Sequence, residues 1–464
     1  MVDTDSMTRD LVRYALTDFK RIDPELIQAA RRRVLEAVSV AFLGMDQKSH
    51  PATKAVLKFA EPFVRRGGNS RIWGTGALVP ADIATLANGV FLRNADGNDS
   101  YFGLATNVHP SDSISALMAL AEEEGLSGSD VLDAVLIAYE IAVTSCDMWP
   151  DLGDRGWDQT NHVQIATVLA VGRLLRMSQE QIQNAMGMAI VPRGGMFQAR
   201  QGSPSSWKSF SGADAARHAL YVCRLAQAGA EGPNEPFEGH CGFLKQIGDG
   251  VLPEKALTGV RERRMPSRIF ETNIKYRPVA SPVQAAVHAA ALVSAQVGKG
   301  EAVVDVTIKT YERAVRMHAD EAHATPKTRK MATHALQYVV LATLEDGDIY
   351  HAFDDDSRIG SERTHAFIRE HMKVIASPEM TAIFPGRMPA SVAVVTTEGR
   401  TIEEYVEAAP GFVGNEITDD QLEDKFRKCV GPYLGARTEK ALEHLRTFDQ
   451  LKDVTQLTRL LSPQ

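Results

Sequence analysis

Val131-Leu132-Asp133-Ala134-Val135-Leu136-Ile137-Ala138-Tyr139 opens a run, 131 to 148, that is apolar on almost every face of a 3.6-residue helix. Such a helix is stable in water only when other helices surround it, so this stretch belongs at the centre of a helical bundle. Val34-Leu35-Glu36-Ala37-Val38-Ser39-Val40-Ala41-Phe42-Leu43 reads the same way. Outward from these two, apolar residues recur at helical spacing over 11–19, 24–43, 52–64, 81–92, 113–123, 163–175, 178–188 and 207–228. Ser178-Gln179-Glu180-Gln181 has the form of a capping box, in which residues three apart satisfy each other's free backbone amides.

The texture changes near Pro266. Arg268 to Tyr276 alternates with period two and reads as a strand, and 283–293 reads as a helix. Val303 to Thr310 is a second strand, and 391–406 reads as a hairpin turning at Glu398-Gly399. Beyond Gly411 amphipathic helix returns over 419–429 and 439–451. The expected fold is therefore mainly α. It comprises a large all-helical domain over 1–266, an inserted smaller α/β lid domain over 267–408, and C-terminal helices over 409–464 that pack back on the helical domain.

Of the 464 residues, 44% are hydrophobic and 24% charged, which describes an ordinary globular chain and not a disordered one. The net charge of -8 and the absence of any Lys/Arg-rich run argue against a nucleic-acid surface. Cys146, Cys223, Cys241 and Cys429 lie far apart, without the spacing of a zinc or iron–sulfur site. No apolar run reaches 18 residues, and the acidic start Met-Val-Asp-Thr-Asp-Ser lacks a signal pattern. A cytoplasmic location, no membrane and no cofactor are expected. Neither a dinucleotide fingerprint nor a phosphate-binding Gly-x-x-x-x-Gly-Lys loop occurs.

Chemistry concentrates in the polar loop from Asn94 to Asp112, between two apolar helices. It is either a set of turns or a site whose groups are held rigidly by the helices at both ends. Asp96, Asn98 and Ser100 have the spacing that begins a calcium loop. Tyr101 where glycine is needed, and Asn107 where a closing Glu is needed, end that match. His109 in this loop and His162 at a helix start are candidate acids or bases, because imidazole titrates near neutrality. Lys208, in the first turn of the helix opened by Ser203-Pro204-Ser205-Ser206, sits where the helix dipole disfavours a cation and welcomes an anion. It is either a carboxylate-binding residue or a solvated lysine. Arg193 and Arg200 approach the same helix, and either one has the forked geometry for a carboxylate. His334 and Tyr338 are spaced to share one helical face.

Taken together, Asn94-Ala95-Asp96-Gly97-Asn98-Asp99-Ser100 with His109-Pro110-Ser111-Asp112, then Asn161-His162, Lys208-Ser209-Phe210-Ser211-Gly212-Ala213-Asp214-Ala215 and His334-Ala335-Leu336-Gln337-Tyr338, resemble the MmgE/PrpD family. The resemblance runs nearly end to end. It implies a helical domain with an α/β lid, a homodimer, and lyase or epimerase chemistry on small polycarboxylates: 2-methylcitrate dehydration, cis-aconitate decarboxylation or iminodisuccinate epimerisation. It marks Asp96, Ser100, His109, His162, Lys208 and Tyr338 as the catalytic set. Arg193, Arg200, Lys208, Lys275 and Gln284 are the expected substrate-binding residues. Ser100 stands where the family usually has Thr, and Ala280 where decarboxylase-like members are expected to carry His.

The reading that follows is a metal-independent hydro-lyase dehydrating 2-methylcitrate or a close tricarboxylate such as citrate. In it His162 acts as base, and His109, oriented by Asp96, or Tyr338 acts as acid. Decarboxylation or epimerisation on the same scaffold is the alternative within enzymes. A non-catalytic helical binding protein is the alternative outside them, and it would leave these side chains scattered.

Overall fold

In a computed structural model, residues 4–19, 22–46, 50–103, 106–201, 205–248, 250–350 and 356–462 are described. Leu104 and Ala105 of the 94–112 loop, and Ser203 and Pro204 quoted above, lie outside them. The chain is mainly α. It divides into two compact units: Met1–Thr272 with Asp419–Gln464, and Asn273–Thr418.

In the first unit the Gly128–Met148 and Thr160–Leu174 helices are buried along nearly their whole length, with Pro24–Leu43 and Ala81–Asn94 beside them. Ala81–Asn94 packs closely on Trp207–Gln227. A Cβ added at Gly89 would lie 2.7 Å from the Ala213 Cβ, so only glycine permits that approach. The helix ends follow local chemistry. Ser178 accepts from the Gln181 amide and Gln181 returns the bond, as the capping box predicts, and Ser127 with Asp130 forms another. The Asp419–Leu434 helix lies along Pro24–Leu43 and completes this unit from the other end of the chain.

The second unit holds a four-stranded sheet in the order Met372–Ala376, Val303–Thr310, Ala390–Thr396, Thr401–Val406. The first pair is parallel and the others antiparallel. The last two strands are the expected hairpin, whose turn uses Gly399 at φ +76°. Two expectations are corrected. Arg268 to Tyr276 is not a strand: Arg268–Glu271 forms a 3-10 turn, tied by the Arg268 amide to the Glu140 carboxylate at 2.9 Å and by the Ile269 and Thr272 carbonyls to Arg33. His334 and Tyr338 do not share a helical face, because the Leu336–Asp346 helix begins after His334. His334 Nδ1 instead meets the Lys330 carbonyl at 3.1 Å.

Candidate active site

The Asn94–Asp112 loop is anchored at its start by the last turn of the Ala81–Asn94 helix. Asp96 turns the chain there, with φ +53°. Aspartate tolerates this left-handed conformation better than most residues because its short side chain finds local polar partners. The turn sends the Asp96 carboxylate to Lys208, 3.2 Å from Nζ. Lys208 is the second residue of the Trp207–Gln227 helix, so the carboxylate compensates the unfavourable dipole at that end. Burial, with the charges of Arg200 and Arg93 and against that of Asp96, lowers the affinity of Lys208 for its proton.

Past Asp96, several described residues of the loop are held by their own contacts. Asn98 accepts from Arg93 Nη1 at 2.8 Å and donates to the Ser111 hydroxyl at 3.1 Å. Asp99 accepts from the Ser111 amide at 3.2 Å through its carboxylate. Its carbonyl lies 2.6 Å from His109 Nδ1. A carbonyl only accepts, so Nδ1 carries the hydrogen, and Nε2 of the neutral ring is an acceptor facing the Asn107 amide at 3.3 Å. Ser100 is fully buried.

A second row of charge crosses behind the histidine. Arg93 Nε is 3.6 Å from Asp112, whose other oxygen accepts from Gln159 at 3.3 Å. The Gln159 carbonyl oxygen in turn accepts from the His109 amide at 3.1 Å. Asp112 is fully buried, and this burial, against the opposing charges of Arg93 and Arg200, raises its affinity for a proton. A Cβ at Gly212 would come within 2.3 Å of Asp112 Oδ2, so the helix bearing Lys208 is glycine where it passes this carboxylate. Arg200 forks Asp158 with two of its guanidinium nitrogens, Nε and Nη2. Burial works against charge on both, yet their mutual attraction and hydrogen bonds hold Arg200 protonated and Asp158 ionised. Asp158 also accepts from the Thr160 amide at 3.0 Å, at the start of the Thr160–Leu174 helix.

His162 is the third residue of that helix. It is fully buried and stacks on Trp149 with 13° between ring planes and 6.2 Å between centroids. Neither ring nitrogen has a hydrogen-bond partner among the described residues. Burial pushes its pKa down to about 3, so the ring is neutral and weakly basic.

Asp96 with Lys208, Asp158 with Arg200, and His109 with Gln159, Asp112 and Arg93 form three contact sets, and the charges of Asp96, Arg93, Arg200 and Asp112 act across them as one electrostatic network. Arg193 lies outside it, paired with Asp214 and acting on His218. Tyr338, Lys275 and Gln284 belong to the second unit and are buried there. The Gln284 amide is engaged locally, donating to the Arg277 and Val279 carbonyls at 2.7 and 2.9 Å. Sequence reasoning gave no role to Arg93, Asp158 and Gln159, nor to Asp112, which it quoted only within the loop and the His109-Pro110-Ser111-Asp112 motif. Arg93 carried a signal, as the one basic side chain of an otherwise apolar helix. Asp158 carried a weaker one, two residues ahead of Thr160. Among the described residues no group of three or more His, Cys, Asp or Glu is arranged to hold a metal, and no helix is long and apolar enough to cross a membrane.

Fold and site together define a class: a two-unit, mainly α protein whose helical unit holds buried, charge-compensated ion pairs and an imidazole with Nδ1 on a backbone carbonyl. Residues 9–255 match the MmgE/PrpD N-terminal domain and residues 278–449 the MmgE/PrpD C-terminal domain. The chain belongs to the MmgE/PrpD family. It is 26% identical to 2-methylcitrate dehydratase of Escherichia coli K12, over 83% of this chain and 82% of that protein. It is 24% identical to the cis-aconitate decarboxylase-like protein oryM of Aspergillus oryzae, over 98% and 97%. To mouse cis-aconitate decarboxylase it is 21% identical, over 94% and 89%.

Proposed function

We propose that this protein is a carbon–oxygen lyase that dehydrates 2-methylcitrate, or a closely related tricarboxylate such as citrate, by general acid–base catalysis. The observation that carries the reading is the network itself. Arg93, Arg200 and Lys208 each face a carboxylate, Arg93 through Asp112 and Gln159 on the chain that reaches the His109 amide, and the His109 proton position is set by a backbone carbonyl. Such cations suit a polyanionic ligand, and the fixed imidazole suits proton transfer.

Dehydration removes a proton from carbon and a hydroxyl from its neighbour, leaving a double bond and water. His109 Nε2 is the acceptor we assign to the carbon-bound proton. His162, expected from sequence to be the base, has a pKa near 3 and the weaker claim to that role. Lys208, its ammonium destabilised by burial, is the donor to the departing hydroxyl. Arg200 and Arg93 attract the carboxylates, in competition with Asp158 and Asp112. Tyr338, Lys275 and Gln284 enter the proposal on family resemblance, as do a homodimer and a cytoplasmic location.

Decarboxylation is the second reading, favoured by the nearly end-to-end match to the decarboxylase-like fungal protein. The test is separate incubation with 2-methylcitrate, citrate, cis-aconitate and iminodisuccinate. Unsaturated product, carbon dioxide and loss of optical activity are followed, with and without a chelator. Unsaturated product from 2-methylcitrate or citrate, undiminished by the chelator, is expected. Carbon dioxide from cis-aconitate alone would replace the first reading by the second, and no turnover of any of the four would remove both.

A further inference from the structure

Lys425 reaches this network from the Asp419–Leu434 helix, more than 200 residues beyond Lys208 in the chain. Its side chain is 2% exposed, and Nζ donates to Glu36 Oε1 and to the Gly97 carbonyl, each at 3.2 Å. Glu36 alone would neutralise the ammonium, so charge balance does not account for the second bond. Nor does stability, since a buried ion pair often does no better than apolar residues of the same size. Glu36 is itself poorly served. Its Oε2 has no hydrogen-bond partner among the described residues, and burial raises its affinity for a proton despite Lys425.

What the second bond does is fix a peptide in the middle of the loop. Gly97 follows Asp96, whose φ of +53° aims the carboxylate at Lys208. Two residues later the Asp99 carbonyl sets the tautomer of His109. With no side chain of its own, Gly97 has only its backbone to be held by.

We propose that Lys425 is a positioning residue: by holding the Gly97 carbonyl it keeps Asp96 against Lys208 and keeps the Asp99 carbonyl on His109 Nδ1. The activity part of this inference rests on the function proposed above, whereas the tautomer part does not.

The test pairs Lys425→Met with Glu36→Gln, which removes both buried charges together and leaves Gly97 unheld. Nitrogen-15 spectra of histidine-labelled protein report the tautomer, with the His109 signals assigned by their loss in His109→Gln. In the folded double variant the His109 nitrogens are expected to move from the Nδ1–H pattern toward a mixture of tautomers. With a substrate that the wild type turns over, kcat is expected to fall on the order of tenfold or more with KM nearly constant. A merely structural role would lower the melting temperature and leave the His109 spectrum as it was, and that result overturns the proposal. If this pair fails to fold, Lys425→Leu with Glu36→Leu replaces the pair by apolar side chains without a donor for Gly97 and is read in the same way. If the wild type turns over none of the polycarboxylates, the proposed function fails while the spectra still decide the positioning role.

Discussion

Replacing Asp96 by Asn isolates the charge at the mouth of the loop. Asparagine tolerates the left-handed backbone as aspartate does, so the turn at φ +53° survives and only the negative charge is lost. At 3.2 Å, with an effective dielectric constant near 20, the attraction between the carboxylate and the Lys208 ammonium is about 5 kcal/mol before desolvation is subtracted. Net values for hydrogen bonds to charged groups are nearer 1.5–3 kcal/mol, which corresponds to roughly a ten- to hundredfold effect. Asp96 is the chief influence that keeps Lys208 protonated against burial and its arginine neighbours. Without it the ammonium yields its proton at lower pH. If Lys208 donates the proton to the departing hydroxyl, kcat for 2-methylcitrate should fall by that factor, and the alkaline limb of the kcat–pH profile should move toward neutrality. A profile whose alkaline limb stays in place, with kcat within about twofold of wild type, would refute the assignment of Lys208 as the acid.

Asp158→Ala leaves the Arg200 charge buried without its forked partner, at a cost of about 3–5 kcal/mol. The melting temperature should drop clearly in calorimetry and recover in large part when Arg200→Gln is added. His162→Phe keeps the stack on Trp149 and removes a ring that resists protonation. Because the unfolded chain binds a proton at this position below about pH 6.5 and the native protein only near pH 3, native stability declines with acidification through that window. Urea unfolding of the variant should show a shallower decline between pH 6 and 4, in steps of about half a pH unit. Gly212→Ala sets a methyl 2.3 Å from Asp112 Oδ2, where the carboxylate must move away from Gln159 and Arg93. Destabilisation of about 1–3 kcal/mol is expected in the same assay, together with weaker tricarboxylate binding by calorimetry.

The helices were legible where a single physical rule decides them. The Pro24–Leu43 helix begins at Pro24 behind an Asp23 cap and stops at Gly44, and both signals stand in the sequence. Val303–Thr310 was legible from its β-branched run, and Ser178–Gln181 from its capping box. The segment 268–276 misled because alternation says nothing about who pairs. Its backbone is claimed by Arg33 and Glu140, from distant helices, and those partners are invisible in a local window. Met372–Ala376 was missed for a related reason: a parallel edge strand of five residues owes its existence to Val303–Thr310. Around the candidate site, roles were assigned to residues in motifs; Asp112 stood in one without being given a role, and Arg93 and Asp158 stood in none. Each of these is defined by its ionic partner, and the partners are 19 and 42 residues away.

Lys425 also imposes an order of events on synthesis. Arg93 and Asp96 leave the ribosome early, whereas the side chain that holds Gly97 is made roughly 330 residues later, on the order of tens of seconds at ordinary rates of translation. For that interval Glu36 has no ammonium to meet it, and the groove later filled by the Asp419–Leu434 helix exposes the apolar flank of Pro24–Leu43. The intervening unit, Asn273–Thr418, is complete before that helix emerges. A chain released with its end at Thr418 should therefore carry a protease-resistant second unit and a first unit still open to cleavage.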